Sequence, residues 1–349
     1  MKSEIELYLR DDASFIDLRS EKEFQKGSIP NSVNMPILYN REYEAVGIEY
    51  KKKGQKAAIN LGHRLVSGEK KRVRVQGWCH YINENPNTKI FCNRGGLRSQ
   101  IALKWITEYG LNTSLIGGGY KRIRRICIDT IQLKNNSTKK WMIIGGHTGS
   151  GKTNFINPYQ STIDLESIAN HRGSAFGKKI SNQPTAINFE NTLAFQYLKN
   201  KSKWLLLEDE SRLIGKNILK DNWYRKMQTS DLIILKVDLK SRVNNIANEY
   251  IIDPLENSIN NAQLYSMMVQ ALSNIQKRLG GDRYSEIQAI MKEAFEKKSK
   301  DLHKTWIEKI LTYYYDPMYN YKMEKRGKYI MYSGTPTEVR AYLRDQGVS

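Results

Sequence analysis

The sequence around one cysteine has the residue types that covalent sulfur chemistry requires. It reads Phe91-Cys-Asn-Arg-Gly-Gly-Leu-Arg-Ser99. A thiol attacks as the thiolate, so its pKa must be lowered for reaction at neutral pH. The two glycines allow backbone N–H groups to point at the sulfur, a helix is predicted directly behind them, and the arginines add positive charge. We therefore predict that Cys92 is a nucleophile that carries sulfur or selenium, with Arg94 and Arg98 as anion stabilisers.

The alternative for any cysteine after an apolar strand is a small buried hydrophobic residue. The Arg-Gly-Gly-x-Arg-Ser sequence that follows Cys92 favours the reactive interpretation. Cys79 and Cys127 lack such a loop, and we interpret both as packing residues. The three cysteines show no C-x-x-C spacing, which argues against a disulfide framework and against a zinc site.

A second segment predicts phosphate binding. Its Gly-x-x-x-x-Gly-Lys-Thr spacing lies between an apolar strand and a helix-compatible segment, the context that this motif requires. Backbone N–H groups can wrap a diphosphate, the lysine can reach a terminal phosphate oxygen, and the threonine can ligate Mg²⁺. ATP, GTP or a lipid diphosphate would all fit. The residues expected to hold the phosphates are Gly146, Gly149, Gly151, Lys152 and Thr153, with magnesium at Thr153.

An acidic run, Glu208-Asp-Glu210, follows the apolar strand candidate at 204–207. It resembles the acidic end of the strand that holds magnesium in phosphate-loop proteins. We expect one of these side chains to act on the cation. The alternative is a solvated strand end.

Apolar strands that alternate with helical segments position these motifs. Strands are predicted at 15–18, 89–91, 141–144, 204–207 and 232–237, helices at 20–25, 73–82, 98–108 and 121–131, and a helix or insertion at 40–56. This alternation predicts an α/β fold with parallel sheets. The expected domains are 1–133, a linker at 134–140, a phosphate-loop α/β domain at 141–255, and a helical, basic and aromatic C-terminal part at 256–349.

The chain of 349 residues has a formal net charge of +20 and is expected to attract polyanions. A nucleic acid or an anionic membrane surface would both satisfy this charge. No apolar run approaches the roughly 20 residues that span a bilayer, and the N-terminus lacks the apolar stretch of a signal peptide. We expect a cytoplasmic protein with no membrane partner, and the composition favours a nucleic acid.

The first domain resembles the rhodanese family. The resemblance rests on the cysteine loop and on the upstream elements Asp17-Leu-Arg19, Glu23-Phe24 and Gly27-Ser-Ile-Pro-Asn31. Many rhodaneses have histidine where this chain has Ser28. Asp17 and Arg19 are predicted to be structural. The resemblance implies a rhodanese-like parallel-sheet domain, followed here by an α/β domain similar to the P-loop NTPases with a helical C-terminal extension.

The order of motifs along nearly the whole chain is similar to the bacterial tRNA 2-selenouridine synthase family, in which a rhodanese domain precedes a P-loop domain. Some members have an aromatic residue after the catalytic cysteine, where this chain has Asn93. The segments that carry the resemblance are 163–177, Gln183-Pro184, Phe189-Glu190, 208–212, 278–281 and 313–318.

That resemblance implies a transferase whose substrate is a tRNA with 5-substituted 2-thiouridine at the wobble position. Geranyl diphosphate would S-alkylate the thiouridine at the P-loop domain, and selenium from selenophosphate, relayed by Cys92, would then displace the geranylthiol. A selenophosphate-supplying enzyme is an implied partner. The candidates for handling the wobble nucleotide or the cation are Asp164, Glu166, His171, Arg172, Glu208, Asp209 and Glu210.

Contact with RNA requires basic groups and stacking aromatic rings. Both residue types are frequent near the domain junction and in the C-terminal part. The alternative, a solvated helix face with tyrosines in the core, stays open. The candidates are Arg122, Arg124, Arg125, Tyr313, Tyr314, Lys322 and Arg326.

Two other functions are compatible with the motifs. One is an ATP-dependent tRNA sulfurtransferase, or a kinase, with a fused rhodanese domain, which would hydrolyse nucleotide when its substrate binds. The other is a non-catalytic, nucleotide-sensing RNA-binding protein, for which an activated thiol would have no use. The oligomeric state is left open by the sequence.

Overall fold

The computed structural model describes residue 8 and residues 13–134, 139–257 and 259–348. Most of the predicted linker, 135–138, therefore lies outside the described residues. By contact pattern the chain forms two compact units. The first comprises the described residues up to 134 together with Pro184–Asn200, and the second comprises the rest.

The elements before residue 135 alternate between short strands and helices. In chain order they are β1 (Phe15–Asp17), α1 (Glu21–Lys26), β2 (Ser32–Asn34), α2 (Asn40–Leu65), α3 (Gly68–Glu84), β3 (Lys89–Phe91), α4 (Leu97–Glu108), β4 (Ser114–Leu115) and α5 (Gly119–Ile131).

The elements after residue 138 begin with the same alternation and continue into a helical region that ends in a strand and a helix. In chain order they are β5 (Lys140–Gly145), α6 (Lys152–Ile156), α7 (Leu165–Ala169), α8 (Ala186–Lys199), β6 (Trp204–Glu208), β7 (Leu213–Ile214), β8 (Asn217–Ile218), α9 (Asp221–Gln228), β9 (Asp231–Leu235), α10 (Leu239–Ala247), a π-helix (Asn248–Ile252), α11 (Asp253–Asn257), α12 (Asn261–Leu279), α13 (Gly281–Glu296), α14 (Lys300–Ile310), a π-helix (Leu311–Tyr315), α15 (Asp316–Arg326), a 3₁₀ turn (Gly327–Tyr329), β10 (Ile330–Gly334) and α16 (Pro336–Asp345).

The first unit is built on a parallel sheet with strand order β2-β1-β3-β4. Its strands are short, and the central strands β1 and β3 are almost wholly buried, because helices cover the sheet. Ile16, Ile90 and Ile106 are fully buried in this core. The indole N–H of Trp78 donates a hydrogen bond to the Met35 carbonyl oxygen at 3.0 Å. The predicted α/β class is confirmed for this unit.

The second unit contains a parallel sheet with strand order β10-β9-β5-β6 and a small antiparallel hairpin of β7 and β8. The region after 255 is helical as far as Arg326, where the chain returns to the sheet as β10. Strand β10 was not predicted from the sequence. Only one residue of Ile330–Gly334 is buried in the structure, so the segment lacks the apolar run of the central strands. Among the described residues, none of the helices combines the length and apolar character needed to cross a membrane.

Helix α8 belongs to the first unit, although the predicted bounds place it in the second domain. It buries Phe189, Leu193 and Phe195, and the Phe195 ring meets Phe15 edge-on at 6.5 Å. Arg124 of α5 forms an ion pair with Glu190 and donates a hydrogen bond to the Asn191 side chain at 2.8 Å. Local sequence cannot reveal this placement, since the contacts join residues about 65 positions apart.

We expect Arg124→Ala to lower the free energy of unfolding by about 2 kcal/mol or more, because Glu190 then loses its guanidinium partner in a buried site. Arg125→Ala is the matched control. Arg125 is exposed and pairs with Asp129 one turn away, so its removal should change stability by less than about 0.5 kcal/mol. Urea denaturation of both variants measures the difference, and equal losses would contradict this anchoring of α8.

Candidate functional sites

Strand β3 ends at Phe91 and delivers Cys92 to the start of a tight loop, with α4 beginning at Leu97. The thiol is buried, and its Sγ lies 3.2 Å from the Ser99 hydroxyl. Burial raises the pKa of Cys92, but the Ser99 hydroxyl, the Arg94 amide and the charge of Arg98 together lower it below its ordinary value. The loop therefore favours a thiolate, the form that attacks and carries a chalcogen.

The cysteine loop is braced by the first turn of α5. The amide of Tyr120 donates to the Cys92 carbonyl at 2.9 Å, and the amide of Lys121 donates to the Asn93 carbonyl at 3.0 Å. Gly119 has a φ of +57°, and a Cβ there would collide with the Cys92 carbonyl. The sequence analysis missed this role. Its signal was available in the glycine triplet 117–119.

The two predicted anion stabilisers have different environments. Arg98 makes a double hydrogen bond to Glu23 at 2.6 and 3.0 Å, so its charge reaches the thiol already partly compensated. Arg94 is exposed and makes no ion pair with any residue that the structure describes, which leaves its guanidinium available to an anion. Asp17 and Arg19, predicted as structural, form a buried pair with an Nη2–Oδ2 distance of 2.6 Å.

Removing the Ser99 hydroxyl tests the electrostatics of this loop. Ser99→Ala deletes a hydrogen bond that favours the thiolate, so the pKa of Cys92 should rise and its alkylation at neutral pH should slow. The pH dependence of iodoacetamide labelling at Cys92, read by peptide mass spectrometry, measures this. Cys127 provides the internal reference, because burial raises its pKa to about 12. An unchanged profile for Cys92 would show that the hydroxyl does not stabilise the thiolate.

The phosphate loop connects β5 to α6 and faces a cavity of about 390 Å³ in the second unit. Its outer side is held by α10. Asn245 donates to the Gly149 carbonyl at 2.9 Å, and Arg242 donates to the Thr148 carbonyl at 3.3 Å while pairing with Asp316 at 2.7 Å. Nothing in the local sequence signals these supports, because they come from 94 and 96 positions away.

Every residue predicted to hold phosphate lines this cavity. Lys152 donates to the Gly146 carbonyl at 3.1 Å, across the mouth of the loop. Beyond the loop, the cavity is lined by acidic and basic side chains together with an aromatic and apolar group. That group consists of Ile246, Tyr250, Tyr315, Met318, Tyr319 and Tyr321.

Three carboxylates converge beside the loop. One oxygen from each of Glu166, Glu208 and Glu210 lies within 4.8 Å of the others. Glu208 Oε1 is buried without a hydrogen-bond partner among the described residues. Oxygen donors of this kind are the ligands that Mg²⁺ and similar hard cations prefer, so these residues fit a divalent ion.

Burial and repulsion between neighbouring carboxylates raise the pKa values of the three clustered carboxyl groups. Burial raises the pKa of Glu166, and the carboxylates of Glu210 and Glu208 raise it further. Burial also raises the pKa of Glu208, with Glu210 adding to the rise and Lys152 and the Thr153 hydroxyl opposing it. Without a cation the cluster must therefore take up protons.

Gly173 closes one side of the cluster. Its φ is +53°, and a Cβ would collide with the carboxylates of both Glu166 and Glu210. The left-handed backbone and the crowding by these carboxylates both favour glycine at this position. This role of Gly173 was not predicted from the sequence.

The other predicted acidic and basic residues of this site are divided by the structure. Asp164 is the N-cap of α7 and accepts from the Ser167 amide at 2.8 Å, which is a structural role. Arg172 lines the cavity and pairs with Glu249 at 2.9 Å. His171 does not line the cavity, and burial lowers its pKa, as do Lys179 and Arg172. Asp209 instead forms ion pairs with two basic residues of α15.

Asp209 forms ion pairs with Lys322, at 3.0 Å, and with Arg326. Arg326 is buried and also donates to the Met227 carbonyl at 3.1 Å. The predicted RNA contact through Arg326 is therefore corrected: its guanidinium holds α15 in place. Lys322 is half-buried, lines the phosphate-loop cavity and shares the same carboxylate.

The remaining RNA candidates differ in exposure. Arg122 and Arg125 are exposed, whereas Arg124 is engaged with Glu190 in the first unit. Tyr313 and Tyr314 are half-buried against the helical core, with the Arg283 guanidinium 4.8 Å from the Tyr313 ring. Tyr313 and Tyr314 therefore pack one face against the core, as the alternative to RNA contact expects for tyrosines of this region.

Glu166→Gln should stabilise the metal-free protein at pH 8. A carboxyl group whose native pKa lies above its unfolded value stabilises fully below the unfolded pKa and loses that contribution as the pH rises through the native value. The variant avoids this loss. In EDTA at pH 8 we expect the free energy of unfolding of Glu166→Gln to exceed that of the wild type by about 1 kcal/mol or more. Each kcal/mol corresponds to about 2–4 °C in Tm, and the difference between the two proteins should shrink at pH 5.

Magnesium should raise the Tm of the wild type more at pH 8 than at pH 6, since the ion competes with protons, and should raise that of Glu166→Gln little. Asp209→Asn is the control within the same acidic run. It removes the partner of Lys322 and Arg326 and should destabilise the protein at both pH values. Destabilisation by Glu166→Gln in EDTA would contradict the proposed repulsion.

Comparisons with known proteins agree with both motifs. The family model described as the tRNA 2-selenouridine synthase AAA domain matches residues 139–349, and the rhodanese-like domain model matches residues 3–125. A tRNA 2-selenouridine synthase of Shewanella pealeana is 40% identical, with 98% of each chain covered. One of Pseudomonas fluorescens is 38% identical, covering 97% of this chain and 96% of its own.

Proposed function

This chain belongs to the tRNA 2-selenouridine synthase family, and we propose that it is a transferase that geranylates and then selenates tRNA. The substrate is 5-substituted 2-thiouridine at the wobble position. One observation carries the proposal: an acidified thiol in the first unit and a phosphate loop facing a carboxylate cluster in the second occur in the same chain. Each step of the proposed reaction requires one of these sites.

The first step takes place at the phosphate loop. The thiouridine sulfur attacks C1 of geranyl diphosphate, the C–O bond breaks, diphosphate leaves, and a proton is lost from the base. The loop amides and Lys152 bind the diphosphate. The aromatic and apolar part of the cavity lining supports a prenyl diphosphate as the ligand, because such a chain needs apolar surface beside the phosphate cradle.

A magnesium ion is the proposed cofactor of this step. Glu166, Glu208 and Glu210 would hold it, with the Thr153 hydroxyl beside Glu208. When bound, the ion neutralises charge that develops on the departing diphosphate.

The second step takes place at the cysteine loop. The S-geranyl group makes the sulfur at C2 a competent leaving group. Selenium from selenophosphate forms the new bond to C2, geranylthiol departs, and water converts the phosphoryl group to phosphate, so that no net oxidant or reductant is consumed. In this step Arg94 stabilises the negative charge of the selenium donor, and Cys92 relays its selenium.

A tRNA also agrees with the charge of the chain. Phosphates of a nucleic acid are neutralised by lysine and arginine, and the net charge here is +20. An enzyme that supplies selenophosphate is the expected metabolic partner.

The two-site proposal predicts different losses in two variants. Cys92→Ala should form the S-geranylated nucleoside at close to the wild-type rate and produce less than about 1% of the selenouridine. Lys152→Ala should lose about 100-fold or more in geranylation, since it removes a cation from the phosphate cradle. The measurement is nucleoside mass spectrometry of a 2-thiouridine anticodon stem-loop incubated with geranyl diphosphate and then selenophosphate.

A chemically prepared S-geranyl stem-loop provides the control, because it bypasses the first step. On this substrate Lys152→Ala should regain selenation and Cys92→Ala should not. Equal loss of geranylation in both variants would refute the division between sites. Modification that requires ATP, with no response to geranyl diphosphate, would instead favour the sulfurtransferase or kinase.

A further inference from the structure

The first unit contains an apolar cavity of about 600 Å³ between α2 and α4. Neither the reaction proposed above nor the packing of the unit uses this space. Its apolar lining includes Val46, Ala58 and Ile59 from α2, and Leu97, Ile101 and Trp105 from α4.

The cavity exists because α2 covers the unit without filling the space beneath it. Across 26 residues only Ala58 is fully buried. Gly47 and Gly62 face the cavity and have no side chains to occupy it, and the helix is interrupted at Gly54, where φ is +78°. Tyr43 and Tyr50 line the opening with 37% and 57% of their surface exposed.

The cavity adjoins the reactive loop through Arg98. Leu97 and Arg98, the first residues after the loop glycines, form part of its wall. The Arg98 guanidinium lies 4.9 Å from the centre of the Tyr43 ring, and its charge is one of the influences that lower the pKa of Cys92. A ligand in the cavity therefore lies next to the group that acts on the thiol.

The rim and the neighbouring helices carry a net positive charge. Lys51 is exposed at the rim. Helices α2 and α3 together contain ten lysines and arginines and five glutamates. An apolar cavity within a basic surface suits a polyanion that carries an apolar group, and neither a plain tRNA nor an uncharged lipid combines the two.

We propose that this cavity binds the geranyl chain of S-geranylated tRNA during selenation. The inference rests on the proposed function and extends it by assigning the substrate's ten-carbon chain to the first unit. The volume exceeds what such a chain needs and lies within the usual range of ligand pockets, about 300–1,000 Å³. The same cavity receives the geranylthiol after the C2–S bond breaks.

Filling the cavity tests this assignment. Gly47→Trp places an indole at its lining, and a Cβ at Gly47 meets no atom within 4 Å, so the backbone has room for a side chain there. Ile48→Trp is the matched control, because Ile48 is 54% exposed and does not line the cavity. Dissociation constants are measured for S-geranyl and S-methyl stem-loops without selenophosphate. The wild type and Ile48→Trp should bind the geranyl form at least about tenfold more tightly, from the buried methylene groups.

In Gly47→Trp the two forms should bind within about twofold of each other, with S-methyl affinity unchanged. Retention of the full geranyl preference by Gly47→Trp would overturn the inference. Selenation of both stem-loops by the wild type, measured separately, tests the proposed function. A wild type that binds the geranyl form selectively but never selenates it would refute that function and leave the binding site intact.

Discussion

The parallel register of β5 and β6 determines the geometry of the phosphate site. Ile144 lies opposite Glu208 in this pairing, so the phosphate loop and the acidic run leave neighbouring strands at the same edge of the sheet. Ligands of parallel α/β sheets bind at this edge, because the loops that follow the strands converge there. A shift by one residue would turn Glu208 to the opposite face and separate it from Thr153.

The two sites use burial in opposite ways. At Cys92 the hydrogen-bond donors and Arg98 outweigh the effect of burial, and the pKa falls. At Glu166 and Glu208 burial and mutual repulsion dominate, and the pKa of each rises. The first environment is complete as it stands and favours an anion. The second environment disfavours further negative charge, so it favours either bound protons or a cation.

Much of this arrangement follows from local sequence. The strand before Cys92, the helix after it and the phosphate loop are each specified by residues within a few positions, and their predicted bounds agree with the structure to within one or two residues. The parts that could not be predicted depend on distant partners. From the sequence, Asp209 resembles a magnesium ligand. In the structure its charge is neutralised by Arg326, which lies 117 positions away in the chain. Helix α8 has an ordinary amphipathic sequence, which does not reveal which unit it packs against.

The cavity beneath α2 raises a question of stability that its proposed ligand answers. Unfilled apolar volume weakens a core, since each missing contact forfeits dispersion and hydrophobic free energy. A helix with larger side chains in place of Gly47 and Gly62 would bury more apolar surface and remove glycines that disfavour the helical state. The first unit instead leaves this space open beside the Cys92 loop, with Lys51 and Arg98 in its lining. Function accounts for that cost if a bound geranyl chain supplies the missing contacts at the moment of reaction.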